Sequence, residues 1–223
     1  MRSHTTTIAL ALSGVAWTAG QALLPDTGLE TAERYDRVAD ARALETLSGG
    51  LLLLAGALLV LGALALARRV VAWAPERSRA LTLGAALLAL GGIWLAAGRA
   101  AFNIMFFRLT DPEVDRDAAL AALDAPGGVG FVPLVLTLPC LLVGPLLLAV
   151  GLRRNGASGW LPLAAWVVGI GVFLGTEFTV KAGEVGGIAV ASAALVMIGL
   201  AVDRSAAVGD AAVSRRRGSP VRA

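Results

Sequence analysis

Residues 47–67 read LSGGLLLLAGALLVLGALALA, twenty-one consecutive residues without a charge, and Arg68 and Arg69 follow at once. At about 1.5 Å of rise per residue, a helix of that length spans about 30 Å, the thickness of a bilayer's hydrocarbon core. Its apolar residues cover every side instead of one stripe, so it has no face suited to water. The segment is therefore read as a transmembrane helix. It decides the class of the whole chain, because the same pattern recurs along it.

Composition points the same way. The 223 residues are 57% hydrophobic and 16% charged, with mean hydropathy +0.77; a soluble domain carries about 25% charged residues. The heavy use of Ala, Leu, Gly, Val and Arg suggests a bacterial coding sequence. The single cysteine, Cys140, lies in an apolar run, which excludes an intrachain disulfide or a paired-cysteine redox site.

Six apolar spans are expected, at 8–24, 47–67, 80–98, 129–152, 160–176 and 185–202. The first, closed by Pro25, is read as a retained anchor rather than a cleaved signal. Residues 24–28 match the LPxTG sorting signal, but that signal sits near a C-terminus, and about 195 residues follow it here. Two polar stretches read as amphipathic helices. One covers 28–46, opened by a Thr27-x-x-Glu30 capping box; the other covers 111–125, with Asp111 as N-cap and Pro112 at the first helical position. Residues 203–223 read as a loose, basic tail.

The arginines set the threading. Twelve of the nineteen basic residues, against three of the sixteen acidic ones, fall in the N-terminus, the 68–79 and 153–154 loops and the tail. The positive-inside rule then places both termini in the cytoplasm of a bacterial cell, and six spans satisfy it without exception. This segregation also explains the net charge of +3 and the pI near 10.0 without nucleic acid, which is not expected as a partner.

The spans fall into three hairpins with marks in a common order. The first carries Gly14-x-x-Trp17, Asp36-Arg37, Gly49-Gly50 and Arg68-Arg69. The second carries Gly91-x-x-Trp94, Asp115-Arg116, Gly127-Gly128 and Arg153-Arg154. A shorter third carries Trp166, Gly186-Gly187 and Asp203-Arg204. Gly171-x-x-x-Gly175 and Gly187-x-x-x-Ala191 read as close-packing faces.

Motifs that would announce catalysis are missing: no HExxH, Walker or GxSxG pattern and no metal-ligand cluster occurs, and no cofactor is implied. The lone His4 lies in the polar N-terminus. Two features suggest a ligand or gate. The fourth span carries Pro133, Pro139 and Pro145, and an internal proline frees the carbonyl four residues earlier, with Thr137 near enough to satisfy one. Arg99 and Glu177 lie at similar depth and could pair in a polar vestibule with Gln21, Asn103 and Lys181.

The layout is similar to a group of small six-span bacterial membrane proteins of no settled activity. The similarity rests on ALLPDT at 22–27, GGLLLLAG at 49–56, DRDAALAALDA at 115–125 and the LRR turn at 152–154 before Trp160. That resemblance carries over no functional residue. The expectation is an all-α, multi-pass protein of the plasma membrane, without an enzymatic signature. It would bind a lipid, an apolar small molecule or a partner protein between its helices. The alternative is a small transporter or channel gated at the kinked fourth span.

Overall fold

The computed structural model describes residues 4–24, 31–73, 79–124, 131–176 and 179–217. Every regular element among them is helical: α1 (Thr5–Leu23), α2 (Thr31–Asp40), α3 (Arg42–Trp73), α4 (Arg79–Ile93), a π-helical turn (Trp94–Gly98), α5 (Arg99–Leu109), α6 (Arg116–Asp124), α7 (Phe131–Arg154), α8 (Leu161–Thr176) and α9 (Lys181–Arg217). Among the described residues, three segments are long and apolar enough to cross a membrane: Arg42–Val71, Arg79–Gly98 and Lys181–Val208. Large apolar side chains also face outward, among them Ile8, Leu12 and Val15 on α1, Leu61 and Leu64 on α3, and Val167 and Val168 on α8. Facing water, so continuous an apolar surface would drive association; facing lipid, it costs nothing.

The strongest pairings are α1 with α3, α4 with α7, and α8 with α9, the three successive hairpins of the sequence. Further contacts of α9 with α1 and of α3 with α4 join the hairpins in a row. The row closes weakly: α7 and α8 touch only sparsely. Among the described residues, the seam between those two helices is the sparsest contact between neighbours in that row.

Small residues set these crossings. At Gly56, an added Cβ would lie 2.4 Å from the backbone nitrogen of Ala96 and 2.5 Å from the carbonyl of Gly92, so α3 and α4 meet backbone to backbone. At Gly169 it would lie 2.5 Å from the Ala191 nitrogen and 2.7 Å from the Gly187 carbonyl, so α8 and α9 meet the same way. The expected Gly187-x-x-x-Ala191 face is thus in use, but its partner on α8 is Gly169. Gly171 and Gly175, read as a packing face, have nothing within 4 Å and point outward. Hydroxyls add polar ties: Ser13 donates to the Ala55 carbonyl and Ser48 to the Gly20 carbonyl, each at 2.7 Å, cross-linking α1 and α3 in both directions.

Several boundaries differ from the sequence expectation. The helix expected at 28–46 breaks at Ala41; its described part is α2, and residues from Arg42 onward begin α3. The Ala41 carbonyl accepts from the Leu44 and Glu45 N–H groups, so the new helix starts there without glycine or proline. The proposed Thr27 to Glu30 capping box lies outside the described residues. The helix expected at 111–125 starts only at Arg116. Asp111 closes a turn through the Glu113 N–H, and the cap is Asp115, whose Oδ1 accepts from the Ala118 N–H at 2.9 Å. The third span, expected at 80–98, is Arg79–Gly98, and its helix runs on into α5. Residues 203–217, expected to be loose, extend α9 as helix to Arg217. The turn after α7 is a Schellman motif: Gly156, at φ 68°, donates to Arg153 and Ala157 donates to Leu152, which accounts for a glycine after the two arginines.

Candidate functional site

The two ends of the bundle are closed by different chemistry. At the arginine-rich end Asp203, its side chain 2% exposed, reaches from α9 to the start of α1. Its Oδ2 accepts from the Thr7 hydroxyl at 2.6 Å and the Thr7 N–H at 3.2 Å. Thr7 is in the first turn of α1, where the His4 side chain makes no cap, so a carboxylate 196 residues away serves as the cap and meets the positive end of the helix dipole. Arg69 of α3 lies 3.0 Å from Oδ1, an ion pair without hydrogen-bond alignment. Sequence reading missed this clasp, because Asp203 looked like the first residue of a tail.

At the opposite end, α2 and α6 lie over the helix ends. Arg116 forks onto Asp36 at 3.0 and 2.8 Å and lies over the Tyr35 ring, while Tyr35 donates to the Leu109 carbonyl. Arg42 bonds Asp111 and the Phe107 carbonyl and stacks on Phe107. The Arg116 hydrogen bond, more than its charge, holds the Asp36 carboxyl below the usual carboxylate range. Asp111 is lowered by the Glu113 N–H and then by Arg42. Because the native value is depressed, the clasp is complete above the ordinary carboxylate range, about pH 4, and is lost only as pH falls through the lower native value. In a Cys140→Ala background, spin labels at Asp40→Cys and Asp124→Cys should give one narrow distance at pH 7 and pH 5 that broadens only below about pH 4. Arg116→Gln should broaden it at every pH. A distance unaffected by Arg116→Gln would show that the fork does not hold the two helices together.

A buried polar group joins α1 to α9. Gln21 on α1, 5% exposed, donates from Nε2 to Glu184 Oε2 on α9 at 3.1 Å, and Lys181 Nζ stands 3.8 Å from the same oxygen. Gln21 also lines a small cleft. Trp17 shares the α1 wall, Trp94 and Leu95 come from the π turn, Leu138, Leu141 and Leu142 from α7, and Ile170 and Phe173 from α8. Apart from Gln21 the wall is hydrocarbon and indole. The cavity holds about 30 Å³, space for one or two waters or the end of a chain. It sits at the α7–α8 seam.

Local sequence explains why the cleft is there. The π turn carries one extra residue relative to an α-helix, which places Trp94 over Gly98, where a Cβ would lie 3.1 Å from its indole nitrogen. Helix α7 remains continuous through Pro139 and Pro145. Pro145 removes the donor for the Leu141 carbonyl, and the next carbonyl, Leu142, is taken by the Trp166 indole N–H of α8 at 3.0 Å. That polar tie bridges the sparse seam beside the cleft.

The expected site residues therefore scatter. Gln21 is in the cleft, and Leu138, Leu141 and Leu142 bring Pro139 to its edge, although Pro139 itself faces outward and Pro145 is buried. Asn103 is buried at the joint of α3 and α5, donates to the Glu45 carbonyl at 3.4 Å and packs on Gly49, away from the cleft. Glu177 and the side chains of Arg99 and Thr137 lie outside the described residues. The carboxylate that does meet Gln21 and Lys181 is Glu184, one of two acids in the same short stretch and not the one sequence depth suggested. Among the described residues, no three His, Cys, Asp or Glu side chains gather as metal ligands would. Compared with protein-family models, curated proteins and solved structures, the chain matches none of them.

Proposed function

We propose that this is a multi-pass protein of the bacterial plasma membrane that crosses the bilayer six times with both termini in the cytoplasm. In this reading it binds the apolar end of a lipid or small amphiphile in the cleft at the α7–α8 seam. One observation carries the binding reading: the cleft walled by Trp17, Trp94, Leu138 and Phe173 lies where the row of helices is least tightly closed, so a chain can enter sideways from lipid. A cavity of about 30 Å³ accepts only the terminal atoms of such a molecule, and the remainder would lie along the seam. The arrangement supports binding over catalysis, because the wall holds no nucleophile or acid–base pair. It also supports binding over passage of a polar solute, which needs a wetted path.

The indoles supply the test. In a Trp73→Phe, Trp160→Phe background, detergent-solubilised protein titrated with 1-bromododecane should show saturable quenching, because the heavy atom enters beside Trp17 and Trp94. Filling the cleft with Leu142→Phe and Ile170→Phe should remove the saturable component. Quenching that rises linearly in both proteins would contradict the proposal. Uptake of a polar solute by proteoliposomes would favour the transporter reading instead.

A further inference from the structure

The cleft is apolar except at one residue, and the state of that residue is chemically determined. Glu184 as a carboxylate can only accept hydrogen bonds, so Gln21 must turn its amide nitrogen toward it, as the 3.1 Å contact from Nε2 to Oε2 records. The amide oxygen of Gln21 is thereby directed away from Glu184. Among the described residues it accepts no hydrogen bond, although the residue is 95% buried and forms part of the cleft wall. An acceptor at such a position gains about 0.5–1.5 kcal/mol net when a donor reaches it.

From this we infer that the cleft selects an amphiphile ending in an uncharged hydroxyl, which donates to Gln21 Oε1 while its chain leaves along the α7–α8 seam. The inference rests on the cleft-binding reading above and names the ligand class for the same site. A hydroxyl fits on both counts, since it donates to Oε1 and can accept from the second N–H of Nε2, which Glu184 leaves free. A carboxylate lacks the donor and would stand close to the Glu184 charge. An ether keeps the oxygen and the shape but has nothing to donate.

The experiment compares probes of one chain length, with concentrations expressed as mole fraction in the micelle. Dodecanol, dodecyl methyl ether and dodecanoate each compete with 1-bromododecane for quenching of Trp17 and Trp94. In the otherwise native cleft, dodecanol should compete about tenfold better than the ether, the upper range for one net hydrogen bond, and dodecanoate should compete no better than the ether. Gln21→Met should bring dodecanol down to the ether. Equal competition by alcohol and ether would overturn the inference while saturable quenching kept the cleft reading intact. The same holds if dodecanoate competes best. Absence of saturable quenching in the unsubstituted cleft would sink the binding reading and this inference with it. Because the alcohol–ether comparison needs no change at Gln21, a variant that fails to fold does not decide the outcome.

Discussion

Gly56→Ala should destabilise the bundle by about 3 kcal/mol, the upper part of the range for overpacking, and lower its yield from membranes. The added methyl would sit 2.4 Å from the Ala96 nitrogen and 2.5 Å from the Gly92 carbonyl. Neither is the end of a flexible side chain, so α3 and α4 must separate along the crossing. That motion would carry the π turn, and with it Trp94, away from the cleft. Two further positions provide the contrast. Gly50, on the same helix, and Gly171, on α8, have nothing within 4 Å. Alanine at either should leave stability unchanged or raise it by up to about 1 kcal/mol through helix propensity. Unfolding by a denaturing detergent, followed by circular dichroism, measures all three variants. Equal behaviour of Gly56→Ala and Gly171→Ala would mean that the helices do not cross where the structure puts them.

The second large effect is expected at Asp203. Removing its carboxylate leaves the Thr7 N–H without a partner in the first turn of α1 and leaves Arg69, 22% exposed, without its counter-ion. Losing one partner of a buried ionic cluster costs about 3–5 kcal/mol, and Asp203→Ala should fall near the lower figure because Arg69 keeps some access to solvent. Asp203→Asn retains an acceptor for the Thr7 hydroxyl and should cost about half as much. Asp203→Leu combined with Arg69→Met should recover much of the loss, since the orphaned charge is gone. The same unfolding measurement reads these variants. A full loss in the double variant would show that the site depends on something other than the ion pair.

Much of the architecture could be read in the chain because lipid imposes simple rules. A run such as 47–67 has one workable conformation in hydrocarbon, and the order of hairpins follows from the short connections between runs. The three hairpins that the glycine and tryptophan marks suggested are the three strongest helix pairs. Contact register was harder to read. Gly169 and Gly171 are two residues apart in the same apolar helix, and only the position of α9 decides that the first is packed and the second exposed. The break at Ala41 carries no local signal, because both flanks favour helix and the turn is fixed by what α2 grips: Tyr35 on Leu109 and Arg116 on Asp36. Asp203 and Glu184 were passed over for a related reason. Each stands at the edge of an apolar run, where an acid reads as solvated, and helices that extend beyond the run bury both.

The placement of the two ends across a bilayer underlies the rest of the account, and one labelling measurement tests it. In a Cys140→Ala background, Asp40→Cys lies on exposed α2 and Gly159→Cys on the turn after α7, at the arginine-rich end. With a membrane-impermeant maleimide on intact cells, the account predicts that position 40 is modified at once and position 159 only after permeabilisation. Modification of both in intact cells, or of 159 alone, would contradict it.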